Sequence, residues 1–351
     1  MEIFIRPAEV GLTIPLRPQD RKEEAAVPDL FVDLLSDIKA FRDELARRRE
    51  LAEKGKAEGR WVPLAERVLE SSRLPLAPPP GPEAFARLGR LFPNFREAGN
   101  FIRAQAALAR AGGKALRFPP LLLAGPPGVG KTSFALELAK TLGIPARPVN
   151  LAQATSGFIF TGASLVWASG RPGAILDLLL REVGNPLMIL DELDKAEAGA
   201  DQSIPDVLLN LLEPRTAGSF TDEALDWPVD ASNMLWIALV NDPRKVSEPI
   251  LSRFSVIEVR EPTRDEMNEA IIPEIYRDIL DEYGLIGRFG EELDHDVCRG
   301  LSQNPRTARK RIIQALARAA ETGKTRLDLS DLGEDGKTIV RRIGFGKKVG
   351  G

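Results

Sequence analysis

From Asp29 to about Glu53, apolar residues recur at Leu30, Leu34, Ile38, Phe41 and Leu45, with Arg, Glu and Lys filling the positions between. This helical spacing predicts one long amphipathic helix, packed on its own protein or, alternatively, offered to a partner. Residues 74–85, LPLAPPPGPEAF, are too rich in proline for a helix or strand interior and predict a semi-rigid linker. Beyond it, short apolar runs alternate with helical stretches: PPLLLAG from 119, ARPVNLA from 146, NPLMILDE from 185, MLWIALVND from 234 and FSVIEV from 254. Near-continuous apolar strands separated by helices predict a parallel sheet covered on both faces. A third, helical region opens at EPTRDEMNEAI, where Thr263 and Glu266 fit a capping box, and runs to about Ala320. The closing GFGKKVGG reads as disordered.

Composition narrows the classes. A chain of 351 residues can bury a full core, and 48 Lys and Arg against 51 Asp and Glu leave no global field that draws nucleic acid or a membrane. The one cysteine, Cys298, cannot form an internal disulfide, and MEIFIRPAEV lacks the basic and apolar regions of a signal peptide, so a cytoplasmic location is expected. No apolar stretch approaches the ~20 residues that span a bilayer. With His295 the single histidine, histidine triads and His-rich metal sites are excluded. The chemistry falls to carboxylates, amides, lysine and arginine.

The stretch LLLAGPPGVGKTS, residues 121–133, supplies that chemistry. Gly125, Gly130, Lys131 and Thr132 match G-x-x-x-x-G-K-[ST] between a buried strand and a helical pattern. The loop Gly125, Pro126, Pro127, Gly128, Val129, Gly130 turns backbone N–H groups around phosphate oxygens, and the helix starting near Lys131, Thr132 and Ser133 adds its positive dipole end. Lys131 would reach the β- and γ-phosphates of ATP, and the Thr132 hydroxyl would ligate Mg²⁺. At the end of the strand in LMILDELDK, Asp191 would hold the Mg²⁺ and Glu192 would polarise the attacking water. Asn241, ending another apolar strand, either makes a turn or orients that water. Arg253 in SEPILSRF is placed to project into a neighbouring subunit's nucleotide. In SQNPRTARKR, Asn304 and Pro305 read as helix cap and first residue, so Arg306 stands in the first turn, where cations oppose the helix dipole. A phosphate nearby explains such an arginine; a nucleic-acid patch is the rival account.

These motifs resemble the AAA+ ATPases and, within them, the ATPase module of Lon proteases, over about residues 90 to 320. GPPGVGKTS, NPLMILDELDKA, VLLNLLEP and GSFTD carry the likeness. The resemblance implies an α/β fold: a P-loop parallel-sheet AAA+ core with a small C-terminal helical lid, here with an N-terminal helical extension. The division it suggests is 1–73 extension, 74–85 linker, 86–260 core, 261–322 lid and 323–351 tail. It further implies a homo-oligomer, a hexameric ring, with Asn241 as sensor 1, Arg253 as a trans arginine finger and Arg306 as sensor 2. It places a substrate-gripping pore loop at Trp167 and Ala168 of LVWASGRPG, where a flat ring can intercalate between side chains of an extended polypeptide. The alternative for Trp167 is an ordinary core position.

Two departures accompany the likeness. About thirty residues follow the lid, too few for a serine-lysine peptidase domain, so no peptidase activity is expected. The N-terminal region is unlike that of Lon. The reading is an ATP-hydrolysing protein unfoldase or remodeller, with a polypeptide substrate and a separately encoded protease or effector as partner. A nucleic-acid-remodelling ATPase and a nucleotide-gated scaffold stand as alternatives.

Overall fold

The five apolar runs form one sheet, and burial of its three central strands explains their composition. In the computed structural model, which describes residues 30–55, 59–154, 156–196, 203–301 and 304–333, nine strands occur. They are β1 (Phe31–Asp33), β2 (Arg73–Pro75), β3 (Leu121–Ala124), β4 (Ala146–Asn150), β5 (Leu187–Asp191), β6 (Phe220–Asp222), β7 (Trp227–Val229), β8 (Leu235–Val240) and β9 (Ser255–Glu258). Every residue of β3 and β8 is buried, as are Leu187 to Leu190 of β5, so both faces of these strands are covered and no polar alternation survives. The sheet runs β4-β5-β8-β3-β9 and is parallel. Asn150 pairs with Asp191, and Asp191 with Leu239, so the carboxyl ends of β4, β5 and β8 stand side by side.

Two compact units divide the chain. One comprises the residues up to 84 together with 102–123 and 135–257; the other comprises 85–101, 124–134 and the residues from 258 onward. Within the first, the N-terminal residues depart from expectation. The helix expected from Asp29 begins at Ile38, capped by Asp37, whose carboxylate accepts from Ala40 N at 2.8 Å. Ahead of it, Phe31–Asp33 is a strand paired antiparallel with Arg73–Pro75. Leu30 and Leu34 fit a helical period, yet alternation suits them equally, and the pairing partner decided between the two. The proline-rich segment expected as a linker thus begins with a strand. Leu74 is 2% exposed, and the amide of buried Asn185 both accepts from Ala77 N and donates to Ala77 O. Residues 74–77 are therefore packed against the sheet-bearing unit and do not act as a spacer.

The second unit is mainly helical beyond 258. The Thr263–Glu266 capping box forms as expected, with both reciprocal bonds present. Met267–Ile271 adopts a π turn that ends two residues before Pro273, whose missing N–H and bulky ring disfavour regular winding in the preceding turn. The helices Ile272–Glu282, His295–Gly300 and Pro305–Glu321 share a core around Tyr276, Ile312 and Leu316. Leu327 and Leu332 join that core, so the start of the expected tail is packed; its 334–351 portion lies outside the described residues, as does MEIFIRPAEV. Cys298 is a buried free thiol, pushed up to about 11 by burial and so inert. Among the described residues, no helix is long and apolar enough to cross a membrane.

Candidate nucleotide and substrate sites

The P-loop glycines are required for separate reasons. A Cβ on Gly125 would sit 2.3 Å from Val259 O, where the chain leaving β3 passes the end of β9. Gly128 and Gly130 have φ of +85° and +103°, and a Cβ on Gly128 would also meet the Asn304 amide at 2.7 Å. These left-handed turns stand at the head of the helix Lys131–Leu142, a placement from which backbone N–H groups can meet an anion. Lys131 is 9% exposed, and its ammonium donates to Gly125 O at 2.7 Å and Pro126 O at 3.0 Å, which holds the cation inside the loop. Val129 is buried, and its carbonyl accepts from Asn94 Nδ2 at 3.4 Å. Phe95 stacks on Phe134 with centroids 4.5 Å apart, and Phe92 meets both edge-on. This aromatic support under the loop comes from the LFPNF segment, which the sequence reading passed over; a dense aromatic cluster upstream of the P-loop was the available signal.

Asn304 caps the helix Pro305–Glu321, accepting from Arg306 N at 3.0 Å and Thr307 N at 3.3 Å, and donates Nδ2 to Pro127 O at 3.4 Å. The same amide thus ties the arginine-bearing helix to the P-loop. Arg306 is exposed in its first turn. Arg309 pairs with Glu282, and Arg311 donates to Gly300 O at 3.4 Å. Two of the arginines in this basic run are therefore occupied in binding the unit to itself.

In the sheet-bearing unit, β5 ends at Asp191 and the chain turns at Glu192 with φ 58° and ψ 41°. A left-handed glutamate costs about 1 kcal/mol and survives only where its surroundings hold it. Lys195 Nζ donates to Glu192 Oε1 at 2.6 Å, a bond that raises the lysine pKa. Asp194 Oδ2 accepts from Asn241 N at 3.1 Å and Asp242 N at 3.2 Å, so the acidic turn is joined to the end of β8. Its Oδ1 is buried with no partner among the described residues. Asp194 was missed in the sequence, where it was overshadowed by the acid pair before it. Arg253 follows the helix Glu248–Leu251 and donates Nη1 to Pro249 O at 2.6 Å, while its Nε is buried without an acceptor among the described residues.

Trp167 is 69% exposed and its neighbour Val166 81%, which removes the core reading. The loop is closed at its base by a bridge between Ala163 and Arg171. Gly162, Gly170 and Gly173 all make approaches that forbid a side chain; a Cβ on Gly173 would lie 2.0 Å from Phe160 O. Fully buried Asp222 anchors the far end, accepting from Gly173 N at 2.8 Å, Ala224 N at 2.9 Å and Leu225 N at 3.3 Å.

Burial pushes Asp222 up to about 6, against the downward pull of those three donors. Because the folded chain binds this proton more tightly than the unfolded chain, the stability it contributes is full below the ordinary value of 3.8 and is lost as pH rises through about 6. Relative to Asp222→Asn, the parent should gain about 1 kcal/mol between pH 7.5 and pH 5. Urea unfolding of both proteins at the two pH values measures this; a difference that does not change with pH would remove the titration from Asp222.

A glycine-rich loop around a buried lysine, in one unit, and an acidic strand end joined to the backbone of an asparagine, in the other, are features that P-loop ATPases carry. Residues 121–261 match the ATPase family associated with various cellular activities (AAA), and the chain carries an ATP-hydrolysing domain of that family. Its particular likeness is to Lon proteases. It is 32% identical over 209 residues to the Arabidopsis thaliana Lon protease homolog 2, peroxisomal, covering 58% of this chain and 24% of that protein. It is 34% identical over 169 residues to the Lon protease of Halothermothrix orenii, covering 48% of this chain and 22% of that protein. The chain thus spans about a quarter of the length of these relatives. Among solved structures, the RuvB Holliday junction branch migration motor of Thermotoga maritima aligns with 17% identity and a TM-score of 0.45, covering 70% of this chain and 68% of that one.

Proposed function

We propose that this ATPase is a Lon-like motor that assembles as a homo-oligomeric ring, expected to be hexameric, and grips polypeptide through Trp167 and Ala168. ATP would be held by the Gly125–Ser133 loop, with Lys131 against its β- and γ-phosphates. Thr132 and Asp191 offer only hard oxygen donors, which suits Mg²⁺, an ion that keeps water and phosphate oxygens in its octahedron. The bound ion would neutralise charge developing on the phosphates. Glu192 would take the proton of the attacking water, Asn241 would orient that water, and Arg253 and Arg306 would meet phosphate charge. A cytoplasmic setting and a separately encoded protease or effector belong to the same reading.

The observation that carries the polypeptide reading is the exposure of Trp167 beside Val166 on a loop closed at its base. Indole on a solvent-facing turn offers a large apolar contact to any extended chain, independent of its sequence. The nucleic-acid alternative draws on the 306–311 run, and the engagement of Arg309 and Arg311 within their own unit weakens it.

Trp167→Ala tests the reading. Its melting temperature should stay close to that of the parent, because a residue 69% exposed contributes little to packing. ATPase stimulation by an unfolded protein should be lost while hydrolysis without substrate stays within a few-fold. Retained stimulation would return the loop to a structural role, and stimulation by DNA in its place would favour the alternative.

A further inference from the structure

The Trp167 loop is held by a residue that belongs to the N-terminal extension. Arg60, immediately before the helix Trp61–Glu70, donates Nη1 to Trp167 O at 2.9 Å and Ala168 O at 3.3 Å, and Nη2 to Gly170 O. Those carbonyls converge because Gly170 N closes the turn onto Trp167 O at 2.9 Å. Gly170 alone permits that turn, since a Cβ there would lie 2.0 Å from Ser164 O. A guanidinium, with five donors spread over a planar fork, can reach carbonyls that lie apart, whereas the three donors of an ammonium all sit on one nitrogen.

Arg60 is itself mounted on a fixed base. The next residue, Trp61, is 3% exposed and donates Nε1 to Leu225 O at 2.6 Å. Arg48 lies 4.3 Å over the Trp61 ring and pairs with Asp226 at 3.0 Å, while Phe41 contacts both Trp61 and Trp227. The two extension helices are thereby anchored on the turn between β6 and β7. From the end of β6, where that turn begins, Asp222 holds Gly173. The loop is pinned at its tip by Arg60 and at its end by Asp222, while the Trp167 side chain stays in solvent.

We propose that Arg60 is a positioning residue: it fixes the backbone of residues 167–170 so that the Trp167 indole meets substrate from a rigid mount. The proposal rests on the reading of Trp167 as a substrate contact. A loop already ordered by Arg60 avoids the entropy of ordering at each gripping event, so the arginine acts on affinity for the polypeptide. The N-terminal helices thus set how tightly this loop holds a chain.

Two measurements on the full chain test this, with Arg60→Ala and Arg60→Lys compared to the parent. Amide hydrogen exchange over residues 164–171 should accelerate roughly tenfold in the Ala variant, with partial recovery in the Lys variant, because the clamp that limits local opening is gone. The concentration of reduced, carboxymethylated α-lactalbumin giving half-maximal ATPase stimulation should rise several-fold, with little change in the maximal stimulated rate. Arg60 is exposed, so its truncation leaves no cavity, and Arg60→Lys serves if the Ala variant perturbs the helices. Unchanged exchange in both variants overturns the clamp. Faster exchange with an unchanged half-maximal concentration overturns the positioning role, provided Trp167→Ala abolishes stimulation. If Trp167→Ala is silent as well, the failure lies in the substrate-contact reading on which this proposal rests.

Discussion

Glu192→Gln is expected to bind ATP and turn it over at least ~10²-fold more slowly than the parent, the scale on which a positioned general base contributes. Gln keeps the size of the side chain and the left-handed backbone at 192 has the same cost, so the nucleotide loop is untouched; what is lost is the proton acceptor. Gln would also accept from Lys195 only as a neutral amide, loosening the 2.6 Å bond that restrains residue 192. Lys131→Ala should fail one step earlier. Its ammonium is buried in the loop, and removing it would delete the point charge proposed for the β- and γ-phosphates and leave the Gly125 and Pro126 carbonyls without that donor. Equilibrium binding of a fluorescent ATP analogue, run beside phosphate release, separates the two. Parent-like turnover in the Gln variant would take the water-activating role from Glu192. Tight binding by the Ala variant would remove Lys131 from the phosphates.

Arg253→Ala should lose hydrolysis by ~10³-fold or more while retaining nucleotide affinity, the magnitude associated with an arginine finger. Arg253 is partly buried, with Nη1 bound to Pro249 O and Nε lacking an acceptor among the described residues. A finger supplied across a subunit boundary makes a definite demand. Mixed with Lys131→Ala protein, the Arg253→Ala protein should regain part of the activity, because a Lys131-intact site can then receive an intact arginine from its neighbour. The readout is ATPase rate against mixing ratio, with mixed assembly verified by crosslinking. A strictly additive, inactive mixture in verified mixed rings would show that Arg253 acts within its own subunit or not at all.

The legible parts of this protein are those whose chemistry is contiguous. The three central strands were readable because a strand covered on both faces must be apolar throughout, and the P-loop because its motif needs glycines, lysine and a hydroxyl at set intervals. The exposure of Trp167 was foreshadowed by its small neighbours Ala168, Ser169 and Gly170. The extension was only half legible: apolar spacing between Leu30 and Leu45 is compatible with a helix, and only pairing with Arg73–Pro75 made Phe31–Asp33 a strand. Proline density at 74–85 fitted the irregular stretch 76–83 but not the strand that ends at Pro75 or the helix that begins at Ala84, and it said nothing about whether the segment would be packed, because edge strands and turns tolerate proline as well as linkers do.

By itself the sequence determined an AAA ATPase domain, an acidic pair at the end of an apolar strand, and where the helical region is capped. Tertiary structure alone decided the contacts around those motifs: Arg60 on the carbonyls of the Trp167 loop, Asp222 on Gly173, Asp194 on the backbone of Asn241, and Asn304 on Pro127. In each of these a side chain binds backbone N–H or C=O far along the chain. Every residue presents the same backbone groups, so the recognised partner leaves no mark in the sequence, and any donor or acceptor brought within reach by packing can serve. Residue type therefore announces the chemistry a motif can do, and packing chooses which backbone it holds still.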